Sequence, residues 1–265
     1  MGRLLVVAGA PVLTGPSLRP TLGAVVPRFR QHVPRPALVA PGAAPPWSAR
    51  PPGTLSLASV RAALGARGRA ETAAAAVARA AAPASLAGLG TPAPLVLAPG
   101  AFDAAVLLAL FEEAGESRLV LTRRAAALEH DAGHVALPGG HVEPGEPPIA
   151  AALRESREEI GLDPALVEPI ATLPLVERPR SGHRVLPVVG VLAGRPRLTP
   201  NPAEVEAVLA PGLGELAAAG VAWEERWGLQ RRSVFFFSAP ALGDDLLWGL
   251  TARIVWTLLE TVLAG

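Results

Sequence analysis

The sequence predicts an α+β domain in which a mixed β-sheet is sandwiched between α-helices. Apolar strand-like runs recur after residue 93, and they are interleaved with one central helix and one terminal helix. The first ninety residues differ, with proline and alanine dominating them. Residues 1–90 therefore read as an N-terminal extension, partly disordered or in short helices and without an independent hydrophobic core, and residues 93–265 as the domain.

Within the extension, prolines at 34, 36, 41, 45, 46, 51 and 52 forbid a regular helix or central strand, so this stretch should be extended or disordered. Leu55–Gly65 suits a short helix capped by Ser56. Ala70–Ala82 is alanine-rich and helix-permissive, and a Pro/Gly-rich passage, Pro83–Pro94, leads into the domain. Ala104–Phe111 and Arg118–Thr122 read as strands joined by a polar hairpin, Glu112–Ser117. Gly139-Gly140 begins a loop that runs through Pro144-Gly145-Glu146. Ile149–Ile160 reads as a helix with apolar or small residues at 149, 152, 153, 156 and 160, and Gly161 follows as its left-handed stop. Further strands are expected at Ile170–Val176, Leu186–Leu192 and Ser233–Ser238, and a final helix at Leu247–Leu263.

Composition narrows the function classes. The chain has 265 residues, half of them hydrophobic, which is enough for one full-sized core plus an extension. All 24 basic residues are Arg, a coding bias rather than a choice at each site, and the net charge of +1 argues against a broad nucleic-acid-binding surface. The absence of Cys excludes disulfides, thiolate nucleophiles and Cys-based zinc sites, and fits a cytoplasmic location. Met1–Thr14 makes a poor signal peptide. The apolar run Leu246–Leu263 is interrupted by Arg253 and Glu260, so it suits an amphipathic helix packed on the domain better than a membrane span.

The chemistry concentrates in Gly140–Leu162, GHVEPGEPPIAAALRESREEIGL. Glu155, Glu158 and Glu159 stand at i, i+3 and i+4, which puts three carboxylates on one helical face. A solvated acidic face balanced by Arg154 and Arg157 is the bland reading. A Gly/Pro-rich loop beside a helix with an apolar opposite stripe favours a site for a hard divalent cation, Mg²⁺ or Mn²⁺, bound by oxygens. Such cations serve the hydrolysis of a pyrophosphate bond.

This segment resembles the Nudix box, with Gly140, Glu146, Arg154, Glu155, Glu158, Glu159, Gly161 and Leu162 in register. Ser156 departs from the pattern, where an aliphatic residue is usual. The resemblance implies a Nudix fold and a metal-dependent hydrolase. In it Glu155, Glu158 and Glu159 bind metal, Arg154 holds a glutamate by a charge-assisted hydrogen bond, and Glu146 supports the loop or helps to ligate.

The preceding stretch, Leu121–Gly140, is similar to the signature of coenzyme A pyrophosphatases, with Thr122, Arg124, Gly133, Pro138, Gly139 and Gly140 in register. Ala125, Leu137 and Glu129 depart from it, where the signature has Ser, Phe and Arg. Pro187–Gly190, Asn201–Val205 and Leu247–Ala252 resemble further segments of that family, so the likeness spans about residues 93–265. It implies cleavage of coenzyme A to 3′,5′-ADP and 4′-phosphopantetheine. Arg123 and Arg124 are candidates to meet the phosphates beside Gly139 and Gly140, although for Arg123 a plain salt bridge is an equal reading. Glu204 or Glu206 is the candidate general base or extra metal ligand.

His134 and His141 suit substrate or backbone contacts better than zinc, and Trp223, Trp227, Trp248 and Trp256 suit core or interface anchors. The partner expected is a small nucleotide, with no nucleic acid, no membrane, and a homodimer compatible with the sequence. Two rivals stand beside the coenzyme A reading. One is a Nudix hydrolase of NADH, an ADP-sugar or a nucleoside triphosphate, and the other is a Nudix-fold regulator that binds a nucleotide without cleaving it.

Overall fold

In the computed structural model of the chain, residues 29–49, 53–66, 102–178 and 181–263 are described. Thirteen strands are distributed over three sheets among these residues. The central sheet holds β3 (Glu116–Leu119), β2 (Ala104–Glu113), β9 (Arg184–Leu192) and β7 (Val167–Thr172) in that order. Two short strands, β6 (Gly139–His141) and β8 (Val176–Glu177), pair with β2 and β9 respectively. The β2–β9 pair is parallel and the others are antiparallel, so the sheet is mixed.

Both faces of β2 are buried, which is why its sequence is nearly continuous apolar rather than alternating. Ala105, Leu107, Ala109 and Phe111 point to one side, where they join Ala151, Ala152 and Ile160 of helix α2 (Pro148–Ile160). Leu108 and Leu110 point to the other side. There they meet Ile254, Val255, Leu258 and Leu259 of helix α4 (Gly249–Leu263). This is the expected mixed sheet between helices.

The two smaller sheets frame it. One runs β10 (Val205–Leu209), β4 (Leu121–Arg124), β5 (Val135–Ala136). The other runs β1 (Val39–Pro41), β11 (Ala222–Trp227), β12 (Arg232–Phe237), β13 (Leu247–Trp248), with a short helix α3 (Leu213–Leu216) before β11.

Several elements differ from expectation. Arg118–Thr122 is not one strand: the chain leaves the central sheet at Val120, and β3 and β4 belong to different sheets. The hairpin is tight, with Ala114 and Gly115 both at positive φ (54° and 77°), the geometry of a two-residue turn matched to strand twist. Gly139-Gly140 opens no loop but pairs with Ala105 and Val106. The strand expected at Ile170–Val176 starts earlier, as β7, and the final helix begins after β13 rather than at Leu247.

The extension contributes to the domain. Residues 57–66 form helix α1, and Ser56 Oγ accepts the Ser59 N–H (3.2 Å), as an N-cap does. Val60 and Leu64 of this helix, with Trp47 and Leu55, enter the same core as α4. In the Pro-rich stretch, β1 pairs with β11 and Gly42 N–H donates to the Glu224 carbonyl. The segments Ala70–Ala82 and Pro83–Pro94 lie outside the described residues.

Trp47 packs on Trp256 with ring centroids 4.9 Å apart and is 5% exposed. Trp47→Ala should lower the stability measured by urea unfolding by roughly 3 kcal/mol. An unchanged unfolding midpoint would show that this part of the extension does not hold the core.

Candidate active site

Helix α2 starts at Pro148, whose missing N–H costs nothing at the first helical position. It ends at Gly161 (φ 65°), whose N–H reaches the Arg157 carbonyl at 2.9 Å. Ser156 is fully buried, and its Oγ donates to the Ala152 carbonyl at 2.6 Å. A hydroxyl is tolerated on the core face because the helix itself satisfies it.

Arg154 gathers the acidic groups. Its guanidinium forks onto Glu146 (2.9 and 3.1 Å) and also reaches Glu155 (3.0 Å), Glu158 (3.1 Å) and the His141 carbonyl (3.0 Å). The Arg154 partnership holds the Glu146 carboxyl below its usual range, and the Glu143 N–H adds to this.

The two glycines make room. A Cβ at Gly139, whose φ is 141°, would collide with the Ala105 carbonyl, and a Cβ at Gly140 would collide with the Glu155 carboxylate. Gly139 N–H donates to Glu159 Oε2 (3.2 Å).

Glu204 arrives from far along the chain. The Asn201 N–H donates to the Glu159 carbonyl (2.8 Å), docking the loop onto the end of α2, and Asn201 Nδ2 donates to Glu204 Oε1 (3.1 Å). The sequence assigns Asn201 no role of its own, although it opens the Asn201–Val205 segment that resembles the family and its Asn-Pro pair favours a turn.

The two arginines part company, because neighbours on a strand point to opposite sides. Arg123 is paired with fully buried Asp245 (2.6 and 2.9 Å) and with Glu206 (3.2 Å), so its geometry realises the salt-bridge reading. Glu206 is engaged there and with Arg30. Arg124 lies within electrostatic reach of Glu159, and its Nε is buried without a hydrogen-bond partner.

The NUDIX domain model matches residues 101–228. The uncharacterized Nudix hydrolase NudL of Photorhabdus laumondii is 36% identical over 175 residues, covering 64% of this chain and 90% of that protein. The chain belongs to the Nudix family. The chloroplastic Nudix hydrolase 22 and mitochondrial Nudix hydrolase 15 of Arabidopsis thaliana are 45% and 40% identical. The matches cover 57% and 62% of this chain, and only 52% and 60% of those relatives' lengths. Members of this family generally use divalent metal ions.

The electrostatics of this Nudix site fit such an ion. Glu159 is 5% exposed, and burial pushes its carboxyl up to about 7. Glu155 and Glu204 add to the rise, while Gly139 N–H and Arg124 oppose it. Carboxylates crowded beside one arginine form an all-oxygen donor set with negative charge to spare, which suits a hard divalent cation. With Glu155 and Glu158 drawn to Arg154, no three acidic or histidine side chains converge into a metal-holding group among the described residues. Glu158 is the most open of the three box glutamates, with 55% of its side chain exposed. His134 and His141 do not meet: His134 packs edge-on to Trp248, and His141 edge-on to His183.

The raised carboxyl has a stability consequence. The unfolded chain ionises Glu159 near 4.5 but the metal-free fold resists until about 7, so the fold loses stability as pH rises across that window. Without metal, Glu159→Gln should equal the wild type near pH 4.5 and exceed it by roughly 3 kcal/mol at pH 7.5, read from urea unfolding in chelator. Parallel pH curves for the two proteins would contradict the burial of an ionising carboxyl here.

Proposed function

We propose that this chain is a metal-dependent pyrophosphohydrolase that cleaves the diphosphate of coenzyme A or its derivatives, releasing 3′,5′-ADP and 4′-phosphopantetheine or its acyl form. The observation that carries the hydrolytic reading is the cluster in which buried Glu159, held by the Gly139 N–H, lies within electrostatic reach of Glu155, Glu204 and Arg124. The coenzyme A assignment is supported by the Thr122–Gly140 signature and the Leu247–Ala252 stretch.

In this reading Glu155, Glu158 and Glu159 hold Mg²⁺ or Mn²⁺, which when bound neutralises phosphate oxygens and makes water a better nucleophile. Arg154 keeps the glutamates in position through its fan of hydrogen bonds. Arg124, whose Nη2 donates to the His130 carbonyl (3.5 Å) and whose Nε has no hydrogen-bond partner, is the cation that takes the phosphate oxygens. Gly139 and Gly140 let the backbone lie close against the Glu155 carboxylate and offer the substrate no side chain of their own. Glu204, oriented by Asn201, accepts the proton of the attacking water as the bridging P–O bond breaks. A cytoplasmic location fits the cysteine-free sequence.

One observation favours a second substrate reading. Glu129 is exposed and acidic where the coenzyme A signature has Arg, which would suit another nucleoside diphosphate derivative such as NADH, an ADP-sugar or a nucleoside triphosphate.

The test is chromatography of products after incubation with coenzyme A, NADH, ADP-ribose and dATP, with and without Mn²⁺. Metal-dependent 3′,5′-ADP from coenzyme A is expected; cleavage of another substrate alone would transfer the assignment to it. Glu159→Gln should lower turnover roughly a thousandfold while the protein stays folded. Near-normal turnover in that variant would overturn the metal role.

A further inference from the structure

Gln31 lies in the extension, outside the stretch that resembles the family, yet it is only 7% exposed. Its amide is fully engaged across the chain. Nε2 donates to the Gly133 carbonyl (2.9 Å) and to Asp245 Oδ1 (2.7 Å), and Oε1 accepts the Leu246 N–H (2.7 Å). Asp245 is the same fully buried carboxylate that pairs with Arg123 on β4. Next to it, Arg30 N–H donates to the Asp244 carbonyl (2.9 Å), and the Arg30 guanidinium pairs with Glu206 (3.2 Å).

Gly133 belongs to the loop between β4 and β5. Its N–H donates to the Arg124 carbonyl (3.1 Å), and Arg124 N–H donates to the His134 carbonyl (2.9 Å). Residues 126–134 bring no buried side chain to the core; only Ala125 and Val135, at the two ends, are buried. Apart from the His134 ring against Trp248, this loop has no packed anchor and depends on hydrogen bonds for its position. An amide side chain is the neutral group able to satisfy a carbonyl, a carboxylate and an N–H at once. A residue serving only to fill this buried place could be apolar.

We propose that Gln31 is a positioning residue for the hydrolytic site: through Gly133 and Asp245 it fixes the β4–β5 loop, and with it the Arg124 guanidinium beside the carboxylate pocket. This rests on the reading of Arg124 as the phosphate-binding cation. The N-terminal segment is then part of the substrate-binding machinery.

The test uses Gln31→Leu in the full-length chain, with two readouts. Amide hydrogen exchange, measured without metal or substrate, should speed up about tenfold at Gly133 and His134 while the strands of the central sheet keep their protection. Unchanged exchange at these two amides overturns the proposal whatever the substrate proves to be. On whichever diphosphate the wild type cleaves, KM should rise about tenfold with kcat within about twofold, and Gln31→Leu combined with Arg124→Ala should show the KM of Arg124→Ala alone. An unchanged KM, or effects that simply multiply, overturns it too. A wild type that cleaves no diphosphate defeats the functional reading separately, and the exchange result then decides this one. Should Gln31→Leu fail to fold, Gln31→Asn keeps the amide but shortens its reach to the Gly133 carbonyl; a smaller acceleration at the same amides is expected, and none overturns the proposal.

Discussion

A carboxylate held where water can barely reach it is the constraint around which this site is arranged. Glu159 stands on the buried side of α2, with one hydrogen bond from Gly139 N–H and one arginine in reach. Ionising such a group inside a protein costs several kcal/mol unless positive charge compensates it. Glu155 and Glu204 add negative charge to the same place. Added positive charge would therefore relieve this cluster, and Gly139 and Gly140 leave room for the Ala105 carbonyl and the Glu155 carboxylate that pack against them.

The rest of the fold serves that placement. α2 is pinned to β2 through small residues, Ala151 and Ala152 against Ala105 and Ala109, which lets helix and sheet come close. β6 pairs with β2 and so sets Gly139 and Gly140 opposite the helix face that bears the glutamates. The loop carrying Asn201 caps the far end of α2 and delivers Glu204. On the other side of the sheet, α4 and the extension complete the core through Trp47, Val60 and Leu64.

Much of this was legible in the sequence, and the limits were physical. Spacing within a helix is local information, so the shared face of Glu155, Glu158 and Glu159 and the stop at Gly161 could be read directly. Sheet partners are not local. β11 escaped notice because its Glu224, Glu225 and Arg226 look like a solvated run, whereas Glu224 is buried against Arg226 and Glu225 is held by Arg35 of the extension. β1 hid among prolines for a similar reason: it is an edge strand, where proline is tolerated. The choice between Arg123 and Arg124 turned on which side of β4 faces Asp245, a residue about 120 positions away.

The most direct measurement is anomalous diffraction from crystals of the full chain grown with Mn²⁺. A peak shared by the carboxylates of Glu155, Glu158 and Glu159 is the expected result. A peak confined to other residues, or none at saturating Mn²⁺, would contradict the central claim that this crowded carboxylate pocket is built for a divalent cation.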